Sequence, residues 1–289
     1  MKILSGKELT SLMEERMAEE AAAMGAAGIL PGLAVIRVGD DPATGIYVRN
    51  KMRAADRVGV RSQDVHLPAQ ATQEELEAEV NRLNNDPTIH GLICQLPLPP
   101  HMEAERIPEL IEPLKDVDCF HPFNFGLMAM GTPRFLPCTP AGIVEILQHY
   151  SISITGRHVV VLGRSNIVGR PIAMMLGHKG LDATVTICHS RTEDAASITR
   201  EADILIAAIG QPEWVHADMI REGAVVVDVG IHRVDDASRK SGSRLCGDVE
   251  QVSVGKRASA ITPVPGGVGP MTITMLLKNT LKAAHLQTR

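Results

Sequence analysis

A chain of 289 residues, 44% hydrophobic and 22% charged, has room for two domains of ordinary size, each with its own core. The formal charge of −5 and the lack of any Lys/Arg run leave no electrostatic footprint for nucleic acid or an anionic membrane, so a small-molecule partner is expected. Cys94, Cys119, Cys138, Cys188 and Cys246 are scattered without C-x-x-C spacing, so neither disulfides nor a metal site is expected; Ile3 and Leu4 after Lys2 are too short an apolar stretch for a signal peptide to be expected, no apolar run of about 18 residues occurs in this sequence, and a cytoplasmic protein is expected.

Apolar runs bounded by turn residues alternate with helical patterns, the signature of an α/β fold with largely parallel sheets. The first half predicts a helix over about 6–27, a strand at 32–38, a helix from Pro42, a strand near 61–66, a helix over about 73–84 and a strand at 91–95. In the helix from Pro42, Asp41 is the expected N-cap and Gly59 the expected left-handed C-terminal residue. Tyr47 and Lys51 stand four apart there, on one face about one turn from each other, a spacing at which a phenol and an amine can serve one small molecule. Taken alone, the pair reads more simply as a half-buried tyrosine and a solvated lysine. Beyond the Pro-rich "QLPLPPH" come a short helix near 103–111, the irregular "KDVDCFHPFNFG", and "PCTPAGIVEILQHY", where Thr139 is the expected cap and Pro140 the first helical residue.

The second half begins again with a strand at 158–163, a helix over about 168–179 and strands at 183–189, 202–210 and 224–231, the pattern of doubly wound units, and closes with a helix from about Pro270. In "VVVLGRSNIVGRP", Gly163 and Gly169 permit a tight turn close to a phosphate, and the following helix N-terminus offers N–H groups and a favourable dipole. The spacing is G-x-S-x-x-x-G, a departure from G-x-G-x-x-G. An NAD site places an acid at the end of the next strand. Here stand Ser190 and Arg191, a hydroxyl and a cation suited to a 2′-phosphate, with Arg164 as a second charge; Glu193 and Asp194 just beyond leave NAD open. In "TPVPGGVGPMT", Gly266 and Gly267 permit close backbone approach before a helix start, a wall for a planar ring or an anion.

Eight segments together carry a resemblance: "YVRNK", "GLICQLPLP", "KDVDCFHP", "PCTPAGIVEIL", "GRHVVVLGRSNIVGRP", "ATVTICHSRT", "VVVDVGI" and "TPVPGGVGPMT". In order, over about residues 40–275, they resemble the bifunctional methylenetetrahydrofolate dehydrogenase/methenyltetrahydrofolate cyclohydrolase family. The resemblance implies a two-domain α/β fold: an N-terminal α/β folate domain (1–139 with 270–289) and a Rossmann-like, doubly wound NADP-binding domain (140–269). It further implies a last helix returning to the first domain, a substrate cleft between the domains, and a homodimer formed through the nucleotide domains.

By the same resemblance Lys51 handles the proton, Tyr47 stacks on or steadies the folate, and Gln95 holds the lysine. Asp118 accepts from the pterin edge, Pro265, Gly266 and Gly267 line the substrate site, and Gly163, Arg164, Ser165, Ser190, Arg191 and Ile231 bind NADP. The implied reactions are oxidation of 5,10-methylenetetrahydrofolate with NADP and hydrolysis of the methenyl product to 10-formyltetrahydrofolate. One departure is visible, Cys119 where the family has glycine after Asp-Val-Asp. Two other readings stay open here: a two-domain dehydrogenase of a small hydroxy acid with Lys51 as its acid/base, and a non-catalytic folate or nucleotide sensor. With no Walker motif, a formate ligase activity is not expected.

Overall fold

In the computed structural model, which describes residues 1–239 and 242–288, the chain forms two units, residues 11–138 with the chain from 273 on, and residues 1–10 with 139–272. The elements run β1 (Lys2–Ile3), α1 (Gly6–Ala26), β2 (Gly32–Val38), α2 (Pro42–Val58), β3 (Arg61–Leu67), α3 (Gln73–Asn84), β4 (Gly91–Cys94), α4 (Ile107–Leu110), α5 (Pro122–Ala129) and α6 (Cys138–His149). They continue with β5 (His158–Leu162), α7 (Gly169–Gly177), β6 (Thr184–Cys188), α8 (Ala195–Thr199), β7 (Ile204–Ala207), β8 (Val225–Asp228), β9 (His232–Asp235), β10 (Ser243–Cys246), α9 (Gln251–Val254), β11 (Ala260–Ile261) and α10 (Val268–Gln287).

The unit of residues 11–138 holds a three-stranded parallel sheet in the order β3-β2-β4, with Leu33 opposite Gly91 and Gly32 opposite Arg61. Its middle strand, GLAVIRV, is buried almost throughout, as a near-continuous apolar run in a parallel sheet should be. Ile36 and Leu92 pack with Leu76, Val80 and Leu83 of α3 and with Ile107. The α3 helix is set by a capping box: the Thr72 hydroxyl accepts from Glu75 N and the Glu75 carboxylate accepts from Thr72 N. The end of α10 belongs to this unit, and Asn279 fixes it by donating through Nδ2 to the buried carbonyls of Val117 (2.8 Å) and Leu136 (2.9 Å).

The other unit is a six-stranded, wholly parallel sheet in the order β6-β5-β7-β8-β11-β1. From β5 the chain steps to β6 on one side and then crosses to β7 on the other, which makes β5/β7 the topological switch point where open α/β sheets bind ligands. Val160, Leu162, Leu205, Val226 and Ile261 form an aliphatic core.

The structure differs from the sequence reading in particulars. Residues 1–10, expected with the first domain, lie in the unit of the larger sheet, because Lys2 and Ile3 pair with Ala260 and Ile261. The segment read as irregular contains α5, since His121 accepts Phe123 N on its ring nitrogen and Pro122 suits the first turn. Helix α6 starts at Cys138, so Thr139 is inside it and its hydroxyl meets that of Thr272 at 2.9 Å. The apolar runs at 202–210 and 224–231 leave the ladder after Ala207 and Asp228, and the residues released build loops.

Replacing Asn279 by Ala removes the amide donor from the Leu136 carbonyl and leaves Val117 O to the weak Cys138 thiol donor, which costs about 2 kcal/mol. Thermal unfolding of the variant is expected several degrees below wild type; an unchanged midpoint would show that the end of α10 needs no anchor.

Candidate active site

The helix that carries Tyr47 and Lys51 is held by local chemistry. The Asp41 carboxylate accepts Thr44 N at 2.7 Å and Gly59 turns left-handed at φ 83°, so α2 begins and ends where those residues place it. Lys51 is 5% exposed, far from a solvated surface lysine. Its Nζ donates to Gln95 Oε1 at 2.8 Å and lies 4.8 Å from the centre of the Tyr47 ring. Gln95 is itself held twice: its backbone N–H donates to Ile36 O and its Nε2 to Leu96 O, both at 2.8 Å. Burial pushes the Lys51 ammonium below the ordinary lysine value, against the opposing pull of Asp118. The Tyr47 phenol moves up for the same reason, burial first and Asp118 second.

Asp118 sits half-buried at the end of a rigid loop. The loop is fastened by its neighbour Asp116, 2% exposed, which accepts from Phe120 N and His121 N at 3.0 Å and from Asn124 Nδ2 at 2.8 Å. Cys119, where the family has glycine, takes φ 63°, a left-handed conformation that side chains adopt at a cost. Its buried thiol donates to Phe135 O at 3.3 Å. The departure therefore leaves the turn intact, with its side chain absorbed by the core. Beside Asp118, the Cys138 thiol donates to Val117 O at 3.4 Å and is pushed well above its ordinary range by burial and by that carboxylate.

In the other unit, a cleft of about 740 Å³ lies at the β5/β7 switch point. Gly163, Arg164 and Ser165 after β5 line it, with Ser190 after β6 and Ala208 and Ile209 after β7. Only glycine fits position 163: φ is 127° and a Cβ would overlap the Ala208 carbonyl. Ser165 Oγ accepts Val168 N (3.1 Å) and Gly169 N (3.4 Å), so this hydroxyl, rather than open N–H groups alone, caps α7. A glycine cradle closed to any side chain, with hydroxyls and an arginine around it, fits a nicotinamide nucleotide.

The expected nucleotide residues do not all meet. The turn 189–192 is closed by Thr192 N to His189 O and His189 N to Thr192 Oγ1, which faces Ser190 and Thr192 into the cleft and leaves Arg191 exposed outside its lining. Ile231 is 56% exposed, beside Gly269, and also lies outside that lining. Pro265, Gly266 and Gly267 form a loop of the same unit, where Gly266 O accepts Lys7 N at 2.9 Å.

Residues 4–118 match the tetrahydrofolate dehydrogenase/cyclohydrolase catalytic domain, and residues 137–288 match the NAD(P)-binding domain of the same family. The chain belongs to that family. Bifunctional protein FolD 1 of Myxococcus xanthus is 53% identical over 283 residues, 98% of this chain and 97% of its own, and bifunctional protein FolD of Halalkalibacterium halodurans is 51% identical over 282 residues, 98% of each. The crystal structure of the FolD methylenetetrahydrofolate dehydrogenase/cyclohydrolase of Campylobacter jejuni covers 99% of both chains with a TM-score of 0.94 at 46% identity. That of Trypanosoma brucei, complexed with NADP and an inhibitor, covers 99% of this chain and 98% of its own with a TM-score of 0.94 at 43% identity.

As a member of the tetrahydrofolate dehydrogenase/cyclohydrolase family, the chain is a bifunctional methylenetetrahydrofolate dehydrogenase and cyclohydrolase of one-carbon metabolism, with an NAD(P)-binding domain. The hydroxy-acid dehydrogenase and sensor readings give way to it. Sequence reasoning passed over His189, Gln211 and Trp214 in the cleft wall, and Asp116 under Asp118. "GQPEW" directly after an apolar strand run was the signal for Gln211 and Trp214, and His189 stood directly before Ser190 and Arg191; for Asp116, the buried partner Asn124 lies in the segment read as irregular.

Proposed function

We propose that Lys51 is the proton-handling group of the cyclohydrolase reaction and that Gln95, Tyr47 and Asp118 serve it and the folate. The observation that carries this reading is an amine 5% exposed, fixed at 2.8 Å by a doubly anchored glutamine and driven toward its neutral form by burial. A lysine works as a base near neutral pH only under such conditions. Water adds to the cationic methenyl carbon while one of its protons passes to Lys51 Nζ; the bond from that carbon to N5 then opens as the adduct's hydroxyl gives up its proton to solvent and becomes the formyl carbonyl, and N5 takes the proton held by Lys51, so 10-formyltetrahydrofolate and one released proton result. Gln95 keeps the Nζ lone pair directed, Tyr47 offers a ring face to the folate, and the acceptor-only Asp118 suits the amino-pyrimidine edge of the pterin.

We further propose NADP as the preferred cofactor, held by Gly163, Arg164, Ser165 and Ser190. Bound there, it supplies the hydride acceptor for the methylene carbon. The support is that His189, Ser190 and Arg191 directly follow β6, with Ser190 and Arg164 in the cleft lining, while Asp194, which also lines the cleft, uses its carboxylate to accept Ser197 N at 3.2 Å as the cap of α8. Arg191 and Ile231 take outer positions in this scheme. The unit of residues 11–138 is then the folate half and the larger sheet the nucleotide half. A homodimer through the nucleotide halves is supported by apolar side chains left exposed on that unit, Ile231, Leu245 and Val252. A net charge of −5 argues against nucleic-acid partners. Free thiols at all five cysteines agree with the cytoplasm; among the described residues no helix is long and apolar enough to cross a membrane.

The test uses purified Lys51→Met protein, which keeps the apolar stem and loses the amine. Hydration of the methenyl substrate is expected to slow by about 10²- to 10⁴-fold, with a smaller loss in NADPH formation from methylenetetrahydrofolate. Gln95→Ala shifts both in the same direction more mildly. Full hydration activity in Lys51→Met would end the assignment, and equal loss of both activities would make Lys51 a folate-positioning group.

For the nucleotide, Arg164→Ala is expected to raise the KM for NADP by about ten-fold or more, the effect of losing a charged hydrogen bond, with little change for NAD. Arg191→Ala should do less. Equal effects of Arg164→Ala on both nucleotides would contradict the 2′-phosphate assignment.

A further inference from the structure

Two carboxylates lie buried where the strands of the larger sheet end, and neither lines the nucleotide cleft. Asp228, the last residue of β8, is 1% exposed, and Asp248, just after β10, is 0% exposed. Each reaches into the other's loop. Asp228 Oδ1 accepts Asp248 N (2.8 Å) and Gly230 N (3.1 Å), and its Oδ2 accepts Val249 N and Gln251 Nε2, both at 3.1 Å. Asp248 Oδ2 accepts Ile209 N (2.7 Å) and Gly210 N (3.1 Å), while its Oδ1 accepts from His232 Nε2 (2.7 Å). Glycine is required at both crossings: a Cβ at Gly230 would overlap Asp248, and one at Gly247 would overlap Asp228.

Three loops, those after β7, β8 and β10, are therefore pinned together by one crossed pair of side chains. The loop after β7 is the one that matters for the nucleotide, because Ala208, Ile209 and Gln211 form part of the cleft wall. Its shape depends on where the N–H groups of Ile209 and Gly210 find an acceptor, and in this fold that acceptor is a single carboxylate oxygen. Remove it, and the loop must turn to satisfy two donors elsewhere.

We propose that Asp248 is a positioning residue for the nicotinamide nucleotide, acting through the backbone of Ile209 and Gly210 to hold the wall of the cleft at the switch point. The proposal rests on the reading of that cleft as the nucleotide site. It separates the two activities, since the groups that handle the proton, Lys51 and Gln95, belong to the other unit. It also ranks two substitutions: Asp248→Asn keeps one acceptor oxygen for the loop and turns its amide toward His232, whereas Asp248→Ala keeps none.

The experiment takes the full chain in wild-type, Asp248→Asn, Asp248→Ala and Gly163→Ala forms. Amide hydrogen exchange is followed on the nucleotide-free protein, NADPH affinity by fluorescence titration, and the two activities separately. Slow exchange at Ile209 and Gly210 is expected in wild type and fast exchange at those amides in Asp248→Ala. NADPH affinity should fall about ten-fold or more in Asp248→Ala and about three-fold in Asp248→Asn, the loss of charge assistance alone, while the KM for the methenyl substrate stays put. Should Asp248→Ala not fold, the wild-type exchange and the three-fold shift of Asp248→Asn decide. The proposal is overturned if Ile209 and Gly210 exchange freely in wild type, if the folded variant binds NADPH as wild type does, or if hydration activity falls in step with affinity. Full NADPH affinity in Gly163→Ala would instead overturn the cleft reading itself.

Discussion

An ammonium taken out of water is the constraint on which the unit of residues 11–138 depends. Desolvating a charge of this kind costs several kcal/mol even after the protein relaxes around it. Against that, the structure offers Lys51 one neutral acceptor, Gln95 Oε1, and the face of one ring, Tyr47. A hydrogen bond from a charged donor contributes about 1.5–3 kcal/mol and a desolvated cation–π contact about 2 kcal/mol. The compensation does not clearly exceed the penalty, so the proton is held less firmly than in water, even with Asp118 pulling the other way. The same arrangement that is poor for stability is what gives a lysine a lone pair to work with. Because the unfolded chain keeps this proton up to about pH 10.4 and the folded chain releases it earlier, this group makes the fold more stable as pH rises between those two points.

The rest of that unit keeps the amine in place. Local caps at Asp41 and Gly59 fix the ends of α2, and the anchoring of Gln95 to Ile36 and Leu96 fixes the acceptor. The Asp116 carboxylate, with three donors, stiffens the loop that carries Asp118. The nucleotide half follows a similar plan with backbone in place of side chains. Gly163 presses against Ala208 at the switch point, and Ser165 caps the helix that follows. In one unit Gln95, directly after β4, holds Lys51 of α2; in the other the loops after β5, β6 and β7 line the cleft.

What the sequence made legible tracks the range of the forces involved. The ends of α2, the strand at Gly32–Val38 and the helix at Gln73–Asn84 were readable because capping and apolar periodicity act within a few residues. The two-residue strand at Lys2–Ile3 was not, since it pairs with Ala260–Ile261, more than 250 residues away. The antiparallel strands β9 and β10, HRVD and SRLC, are four residues each without a regular apolar alternation, too short to stand out from a loop. At the site, Tyr47 and Lys51 were visible as a pair by helical spacing, but the 2.8 Å contact with Gln95 joins positions 44 apart and was reached only through the ordered motifs of the family. Ser190 and Arg191 looked equivalent as neighbours; a four-residue turn closed by Thr192 gives one to the cleft and the other to solvent. Asp248 carried no local signal, because its meaning lies in the backbone of a loop some 38 residues earlier.

The most direct test of this account is the titration of Lys51 itself, by NMR of the isotopically labelled side-chain amines, with Lys51→Met used to assign the resonance. The account predicts one lysine signal whose midpoint lies well below those of the solvated lysines, moved by burial and steadied by Gln95. A Lys51 signal that titrates together with the others near pH 10.4 would contradict it, because an amine fully charged at working pH has no lone pair with which to take a proton.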